Sequence, residues 1–281
     1  MNYAQMIQKA EKKAALENME VSAIKWLFFY SDFAVPYHHL SDEVSDEIYQ
    51  SFMKIVDLYV LLKKPPQYIV HRTCFFGYDF YVDENVFIPR PETEQLVEET
   101  ILRIDQFFAN QSIVLADVCC GSGVIGLTIK KEVFPSQVYL CDINPKAIEI
   151  VQQNAKKLDV QVFPLLGDFI TPLLEKKLKF DVLVCNPPYI KNQEKLDDMV
   201  YNNEPHNALF GGDDGLDFYR ILFDNAKDLL KERPMMAFEF GYDQKEALES
   251  LIQEKLFDFQ YEFLKDYAGL YRMVFLFKNL F

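Results

Sequence analysis

No run of apolar residues in this chain of 281 approaches the length that crosses a bilayer, so a membrane-spanning protein is not expected. Met1 to Ala15 lacks an apolar stretch ahead of a small-residue cleavage site and instead intersperses Lys and Glu. No export signal is read there, and the expected compartment is the cytoplasm. The five cysteines are odd in number and contain no CxxC pair, which in a reducing compartment predicts free thiols rather than disulfides. Basic residues are scarce: 29 Lys and Arg stand against 43 Asp and Glu, for a net charge of −14. A grip on a phosphate backbone comes from clustered Lys and Arg, so direct nucleic-acid binding is not expected and a protein or small-molecule substrate gains weight. Internal repeats and low-complexity tracts are missing as well.

What is present can build a substantial core, since 50% of residues are hydrophobic and 15% aromatic. The length suits a core domain with a smaller one attached. From Tyr3 to Leu62 apolar residues such as Ile24, Leu27 and Phe28, then Ile48, Phe52, Ile55 and Leu58, recur at helical spacing until Pro65-Pro66, where the pattern is expected to end. Short alternating runs from Phe75 to Ile88, with turn signals at Gly77-Tyr78 and Asp83-Glu84-Asn85, predict a β-hairpin. The expected division is a helical amino-terminal domain at 1–72, a hairpin linker at 73–88 and a larger domain at 89–281.

In that larger domain helices and strands alternate. Helices are predicted at Glu92 to Phe108, Val124 to Val133, after Pro145, Leu216 to Leu230 and Gln244 to Lys255. Strands are predicted at Ile113 to Val118, Val138 to Cys141, Val160 to Phe163, Phe180 to Cys185, Met235 to Phe240, Tyr261 to Leu264 and Met273 to Phe277. Such alternation predicts an α/β fold, a mostly parallel sheet with helices on both faces and an antiparallel pair at the end.

In a sheet of this kind ligands sit beyond the carboxyl ends of the strands. Asp117-Val118-Cys119-Cys120-Gly121-Ser122-Gly123 leaves an apolar strand and enters a helix, and its glycines let the backbone approach a nucleotide-like ligand closely. By itself this is equally a tight strand-to-helix turn. Asp142, about twenty residues on at the next strand end, has the spacing of an acidic residue that reaches a ribose hydroxyl pair, and together the two features favour an adenosine ligand. A helix-capping role for Asp142 stays open. At a third strand end Gly167-Asp168-Phe169 offers a carboxylate for an exocyclic amine and a ring for an apolar face, or an ordinary turn.

The most informative segment is Asn186-Pro187-Pro188-Tyr189, where the strand Val182 to Cys185 runs straight into a turn. An NH2 group conjugated to a carbonyl or ring is a poor nucleophile because its lone pair is delocalised. The Asn186 side-chain oxygen and the Pro187 carbonyl can accept its two hydrogens. Two prolines fix the turn and remove competing donors, and Tyr189 can stack on the flat group and hold its nitrogen in line with a sulfonium methyl. No metal is required. Cys119, Cys120, Cys141 and Cys185 meet at neighbouring strand ends, but without paired spacing they read as small buried thiols.

Asn-Pro-Pro-Tyr after the fourth strand, with Asp117 to Gly123 and Asp142, resembles the amino-methyltransferases that act on glutamine amides or on adenine and guanine amines. Ile88-Pro89-Arg90-Pro91-Glu92-Thr93-Glu94, Pro66-Gln67-Tyr68-Ile69 and Glu204-Pro205-His206-Asn207-Ala208-Leu209-Phe210-Gly211-Gly212 resemble the PrmC/HemK family, whose members modify peptide chain release factors. The likeness runs from about Pro65 to the carboxyl terminus. It implies a Rossmann-like class I fold, S-adenosylmethionine as cofactor and release factors as protein substrates. It implies that Cys119, Cys120, Gly121, Ser122, Gly123, Asp142, Asp168, Phe169 and Asn186 line the cofactor, and that Asn186 to Tyr189 hold the glutamine of a Gly-Gly-Gln loop. The expected role of the small domain is contact with the protein substrate. Cys119 and Cys120 depart from the usual Gly and Thr, His71 from a glycine after Tyr-Ile, and Pro205-His206-Asn207 from Pro-Arg-Leu. Rival readings are the sibling acting on a ribosomal protein, disfavoured by Pro91-Glu92-Thr93-Glu94, an adenine or guanine N-methyltransferase, and a non-catalytic adaptor.

Overall fold

The computed structural model of the protein describes residues 1–109, 111–133 and 136–279. Its chain forms two compact units. The first comprises Met1–Thr73, Val82–Glu84 and Asp197–Asn203, and the second Cys74–Tyr81, Asn85–Leu196 and Glu204–Phe281. From Cys74 on, the hairpin therefore belongs with the larger unit, and a segment far along the chain joins the smaller one.

In the first unit α1 (Tyr3–Leu16), α2 (Ser22–Tyr30) and α3 (Asp46–Val60) bury Met6, Ala10, Ile24, Leu27, Phe28, Phe52 and Val56 against one another. Asn2 caps α1 in a capping box with Gln5, and Ser45 caps α3. The helical pattern does not stop at Pro65-Pro66: α4 (Pro66–Val70) begins there. A proline in the first helical position gives up an N–H that has no intrahelical partner anyway, so it starts a helix as readily as it ends one. His71 then closes α4 in the left-handed region, φ 52°.

The second unit opens with the hairpin β1 (Thr73–Phe75) and β2 (Tyr78–Phe80), much shorter than the 73–88 span expected for it. The chain continues through α5 (Pro91–Phe108), β3 (Ile113–Val118), α6 (Val124–Glu132), β4 (Ser136–Asp142), α7 (Pro145–Leu158) and β5 (Phe163–Leu166). After these come α8 (Thr171–Glu175) and β6 (Phe180–Cys185), and then α9 (Asp198–Asn203), which joins the first unit. The second unit ends with α10 (Asp217–Asp224), α11 (Ala226–Leu229), β7 (Leu230–Glu239), α12 (Lys245–Lys255), β8 (Gln260–Lys265) and β9 (Tyr271–Phe277). Among the described residues the strands form a seven-stranded sheet in the order β5-β4-β3-β6-β7-β9-β8. All neighbours are parallel as far as β7, and β9 runs antiparallel to β7 and to β8.

Apolar residues cover both faces. Leu115, Val138, Leu140, Val182 and Val184 face one core with α5, α6 and α7, while Ala116, Val118, Leu183 and Phe238 face the other with α10 and α12. Successive residues of one strand pass to opposite cores, which is why the central strands read as unbroken hydrophobic runs. The chain leaves β3 for β4 and β5, then returns to lay β6 on the other side of β3. That reversal opens a crevice at the carboxyl ends of β3 and β6. Among the described residues no helix is long and apolar enough to cross a membrane.

Candidate active site

The crevice is a pocket of about 220 Å³ lined by Cys119 to Ser122, Asp142, Phe169 and Asn186 to Tyr189, with Asp168 on its rim. Register explains the convergence: Val118 pairs with both Cys141 and Cys185, so the loops after β3, β4 and β6 start at one level. Every residue expected from the sequence to bind cofactor or substrate borders this pocket except Gly123, which sits behind it as the left-handed N-cap of α6, φ 81°. A Cβ on Gly123 would press on Leu127, Val151 and Leu140 at 3.0–3.2 Å, whereas one on Gly121 would meet only open space. Cys119 adopts φ 58°, the conformation that a glycine takes without strain.

Asp142 straps two loops together. One carboxylate oxygen accepts from Gly121 N at 2.9 Å and the other from Asn144 N at 2.9 Å, while Asn144 itself caps α7 through Lys146 N. The helix-cap role thus belongs to Asn144. Each Asp142 oxygen keeps a lone pair for a hydroxyl in the pocket. Burial raises the Asp142 pKa, and the backbone donors pull it back. Phe169 is buried, edge-on to Phe218 at 5.0 Å, and its carbonyl accepts from Cys141 Sγ at 3.1 Å. Burial also pushes the thiols of Cys120, Cys141 and Cys185 up, Cys141 to about 12, so they stay as S–H groups. Among the described residues no set of His, Cys, Asp and Glu is arranged for a metal ion.

The Asn186 to Tyr189 turn is held in part by Glu239 and Gln244, which belong to no motif read from the sequence. Glu239, the last residue of β7 and 2% exposed, accepts from Tyr189 Oη at 3.1 Å and from Thr93 Oγ1 at 2.7 Å. Thr93 Oγ1 in turn accepts from Asn186 Nδ2 at 3.3 Å. Gln244 donates to the Tyr189 carbonyl at 2.8 Å and to that of Asp214 at 3.1 Å. Arg90 pairs with buried Glu204, which also accepts from Ile88 N at 3.2 Å, so two motifs 114 residues apart are one structure. Asn154, fully buried, accepts from Tyr81 N at 2.7 Å and donates to the Ser122 carbonyl at 2.9 Å. Burial and the adjacent Glu239 raise the Tyr189 pKa, so its hydroxyl remains a donor.

A protein from Bacillus anthracis named release factor glutamine methyltransferase is 37% identical over 239 residues, 84% of each chain. One of the same name from Streptococcus pneumoniae is 32% identical over 283 residues, 98% of each, amino-terminal region included. The chain belongs to the release factor glutamine methyltransferase family. A methyltransferase small domain matches residues 94–204 of this family member, from α5 to the motif at Glu204. Its fold is that of a T. thermophilus 16S rRNA N2 G1207 methyltransferase solved with AdoMet and guanosine: TM-score 0.52, 16% identity, 74% of this chain and 50% of the other covered.

Beneath the pocket lies Asp117, fully buried, with one oxygen accepting from Gly126 N at 2.8 Å and the other unpartnered. Burial pushes its carboxyl up to about 8. Since the unfolded value is about 3.9, the folded chain keeps a proton that the unfolded chain loses. Stability from this group is complete below about pH 4 and falls as pH rises toward 8, by at most about 1.4 kcal/mol per unit. Asp117→Asn, which carries no titrating group, should escape that loss. Melting temperatures of both proteins between pH 5 and 8 should diverge by several degrees in favour of Asn at the alkaline end. Parallel curves would mean that Asp117 is ionised in the fold.

Proposed function

We propose that the protein transfers a methyl group from S-adenosylmethionine to the side-chain amide nitrogen, N5, of the glutamine in the Gly-Gly-Gln loop of peptide chain release factors. The observation that carries this reading is one pocket bordered both by the Gly121 and Asp142 loops and by the Asn186 to Tyr189 turn, in a chain whose full-length relatives bear that name. S-adenosylmethionine supplies an electrophilic methyl on a sulfonium. The residues present suit it: the backbone at Gly121 faces open pocket space without a Cβ, and the Asp142 carboxylate has acceptor capacity for a ribose. Phe169 and Ile143 add apolar and ring contact.

Asn186 Oδ1 and the Pro187 carbonyl accept the two hydrogens of the glutamine NH2. As nitrogen commits its lone pair to the methyl, those hydrogens become more positive, and the two acceptors gain strength in the transition state over the ground state. Tyr189, anchored to Glu239, packs on the amide plane and limits its rotation. As the N–C bond forms the S–C bond breaks to leave a neutral thioether, and the strongly acidic extra proton on nitrogen passes to water, so no general base near neutral pKa is needed. The helical unit at Met1–Thr73 is proposed to bind the body of the release factor, because the pocket can read little beyond a flat amide. The free cysteines of the protein suit a reducing compartment, the cytoplasm, where release factors would be met.

Incubating the protein with purified release factor and S-adenosylmethionine, then mapping peptides by mass spectrometry, tests the reading. One methyl group on the Gly-Gly-Gln glutamine is expected, and methylation of a ribosomal protein or of RNA alone would redirect it. Asp142→Ala should weaken S-adenosylmethionine binding by about 1.5–3 kcal/mol, roughly tenfold to a hundredfold in Kd by calorimetry. An unchanged Kd in a folded variant would leave Asp142 with its strapping role alone.

A further inference from the structure

A carboxamide has nearly the same shape with its oxygen and nitrogen exchanged, so the turn at Asn186 could present either an acceptor or a donor to the glutamine NH2. Only the acceptor is productive. A flipped Asn186 would aim its own N–H groups at the substrate's N–H groups and leave both unpaired. Something must therefore select the orientation, and among the described residues Asn186 meets Thr93, at the wall of the same pocket, through its side chain.

The selection comes through Thr93. Glu239 is an acceptor-only group when ionised; burial raises its pKa, and the bonds it accepts from Thr93 Oγ1 at 2.7 Å and Tyr189 Oη at 3.1 Å, with Arg272 nearby, pull it back. Thr93 has a single hydroxyl hydrogen, which goes to Glu239. What Thr93 then offers Asn186 is a lone pair, and only the Asn186 N–H can meet it, at 3.3 Å. Directionality thus passes along Glu239, Thr93 and Asn186 and leaves Oδ1 toward the pocket. Thr93 and Glu239 are each 2% exposed, so water does not compete for these bonds. The strand end carrying Glu239 is itself fixed, since its carbonyl accepts from Tyr219 Oη at 2.6 Å. Thr93 stands in the first turn of α5, set by Pro91 and by the Arg90 to Glu204 pair just ahead of it.

We propose that Thr93 and Glu239 are positioning residues that set the Asn186 carboxamide with Oδ1 facing the substrate NH2 and so govern the rate of methyl transfer. This rests on the function proposed above, in which Asn186 accepts from the glutamine. A Gln at 239 can donate to Thr93, and Thr93 can then donate to a flipped Asn186. A Val at 93 removes the relay while keeping the shape, and a Ser keeps the relay.

Single-turnover methylation of the release factor by the full-length chain, at saturating S-adenosylmethionine, is compared for wild type, T93V, T93S and E239Q. The Kd for S-adenosylmethionine and the melting temperature are measured alongside. T93V and E239Q should lose roughly tenfold to a hundredfold in rate, as for one misplaced transition-state acceptor. KM for release factor and Kd for cofactor should stay within about twofold, and T93S should keep most of the wild-type rate. A wild-type rate in T93V, a loss in T93S as deep as in T93V, or a loss confined to KM or Kd would overturn the proposal. If E239Q does not fold, the Thr93 pair decides. Failure of the wild-type chain to methylate release factor would count against the function, while equal rates among active variants would count against the positioning alone.

Discussion

Replacing Asn186 by Ala should lower the single-turnover rate at saturating cofactor by about a hundredfold or more while the protein stays folded. The amide nitrogen of glutamine begins the reaction with its lone pair spread into the carbonyl and ends it bonded to a methyl group. Its hydrogens grow more acidic on the way, and in the proposed mechanism Asn186 Oδ1 is one of the two acceptors that follow that change. The other, the Pro187 carbonyl, belongs to the backbone and survives the substitution. Asn186 is half-buried, and its loss strips Thr93 of a donor at 3.3 Å, which should cost about 1 kcal/mol of stability. Cofactor affinity should weaken only a few-fold, because the substitution leaves the Asp142 carboxylate and the Gly121 backbone proposed to hold the cofactor untouched. Rapid-quench measurement of methyl transfer separates these effects, and a near wild-type rate would remove Asn186 from the mechanism.

The lining of the pocket could be read from sequence to the extent that it lies in contiguous turns at the ends of buried strands. Ile113–Val118 and Phe180–Cys185 were legible end for end because both faces of each strand are covered, so the hydrophobic run and the strand coincide. At the sheet edge that coincidence fails. The fifth-strand expectation at Val160 to Phe163 falls short of the observed Phe163–Leu166, whose residues are exposed or half-buried and carry little pattern. Likewise β7 starts at Leu230, five residues before the apolar stretch, since Lys231, Glu232 and Arg233 are exposed at its beginning. The single helix expected from Leu216 to Leu230 is broken at Asn225, whose Nδ2 caps α10 on the Ile221 carbonyl at 2.7 Å. Glu239, and with it the role of Thr93 within Pro91-Glu92-Thr93-Glu94, escaped because their partnership spans 146 residues and no local period encodes it. The faint trace was a carboxylate inside the apolar run Met235 to Phe240, which at a strand end in an α/β sheet marks a buried charge with partners to find.

The segment Leu209–Gly212 supplies the second large effect. It lies beside the turn as a short parallel partner: Ile190 N donates to the Leu209 carbonyl at 2.9 Å and Gly211 N to the Ile190 carbonyl at 2.9 Å. Gly211 does not need a left-handed φ; it needs the absence of a side chain. A Cβ there would stand 2.9 Å from Tyr189 Cα and closer still to the Pro188 carbonyl oxygen, nearer than real Cβ atoms come to backbone. Gly211→Ala must therefore push the Pro188-Tyr189 backbone toward the pocket or push its own loop away. The first movement would shift the Pro187 carbonyl and the Tyr189 ring from the positions proposed for holding the glutamine, and the second would strain the Ile190 pairing that backs the turn. A misplacement of about 1 Å costs on the order of a hundredfold in rate, so kcat should fall by roughly that factor. The Kd for S-adenosylmethionine should hold, because Asp142 and Gly121 belong to loops on the far side of the pocket. Gly269→Ala provides the control. That glycine has φ 84° with open space around it, so alanine there should cost about 1 kcal/mol of stability and leave kcat unchanged. Melting temperature and kcat measured for both variants distinguish strain from displacement. If Gly211→Ala loses stability like Gly269→Ala but keeps its rate, the turn at Asn186 is held by the Glu239 side alone.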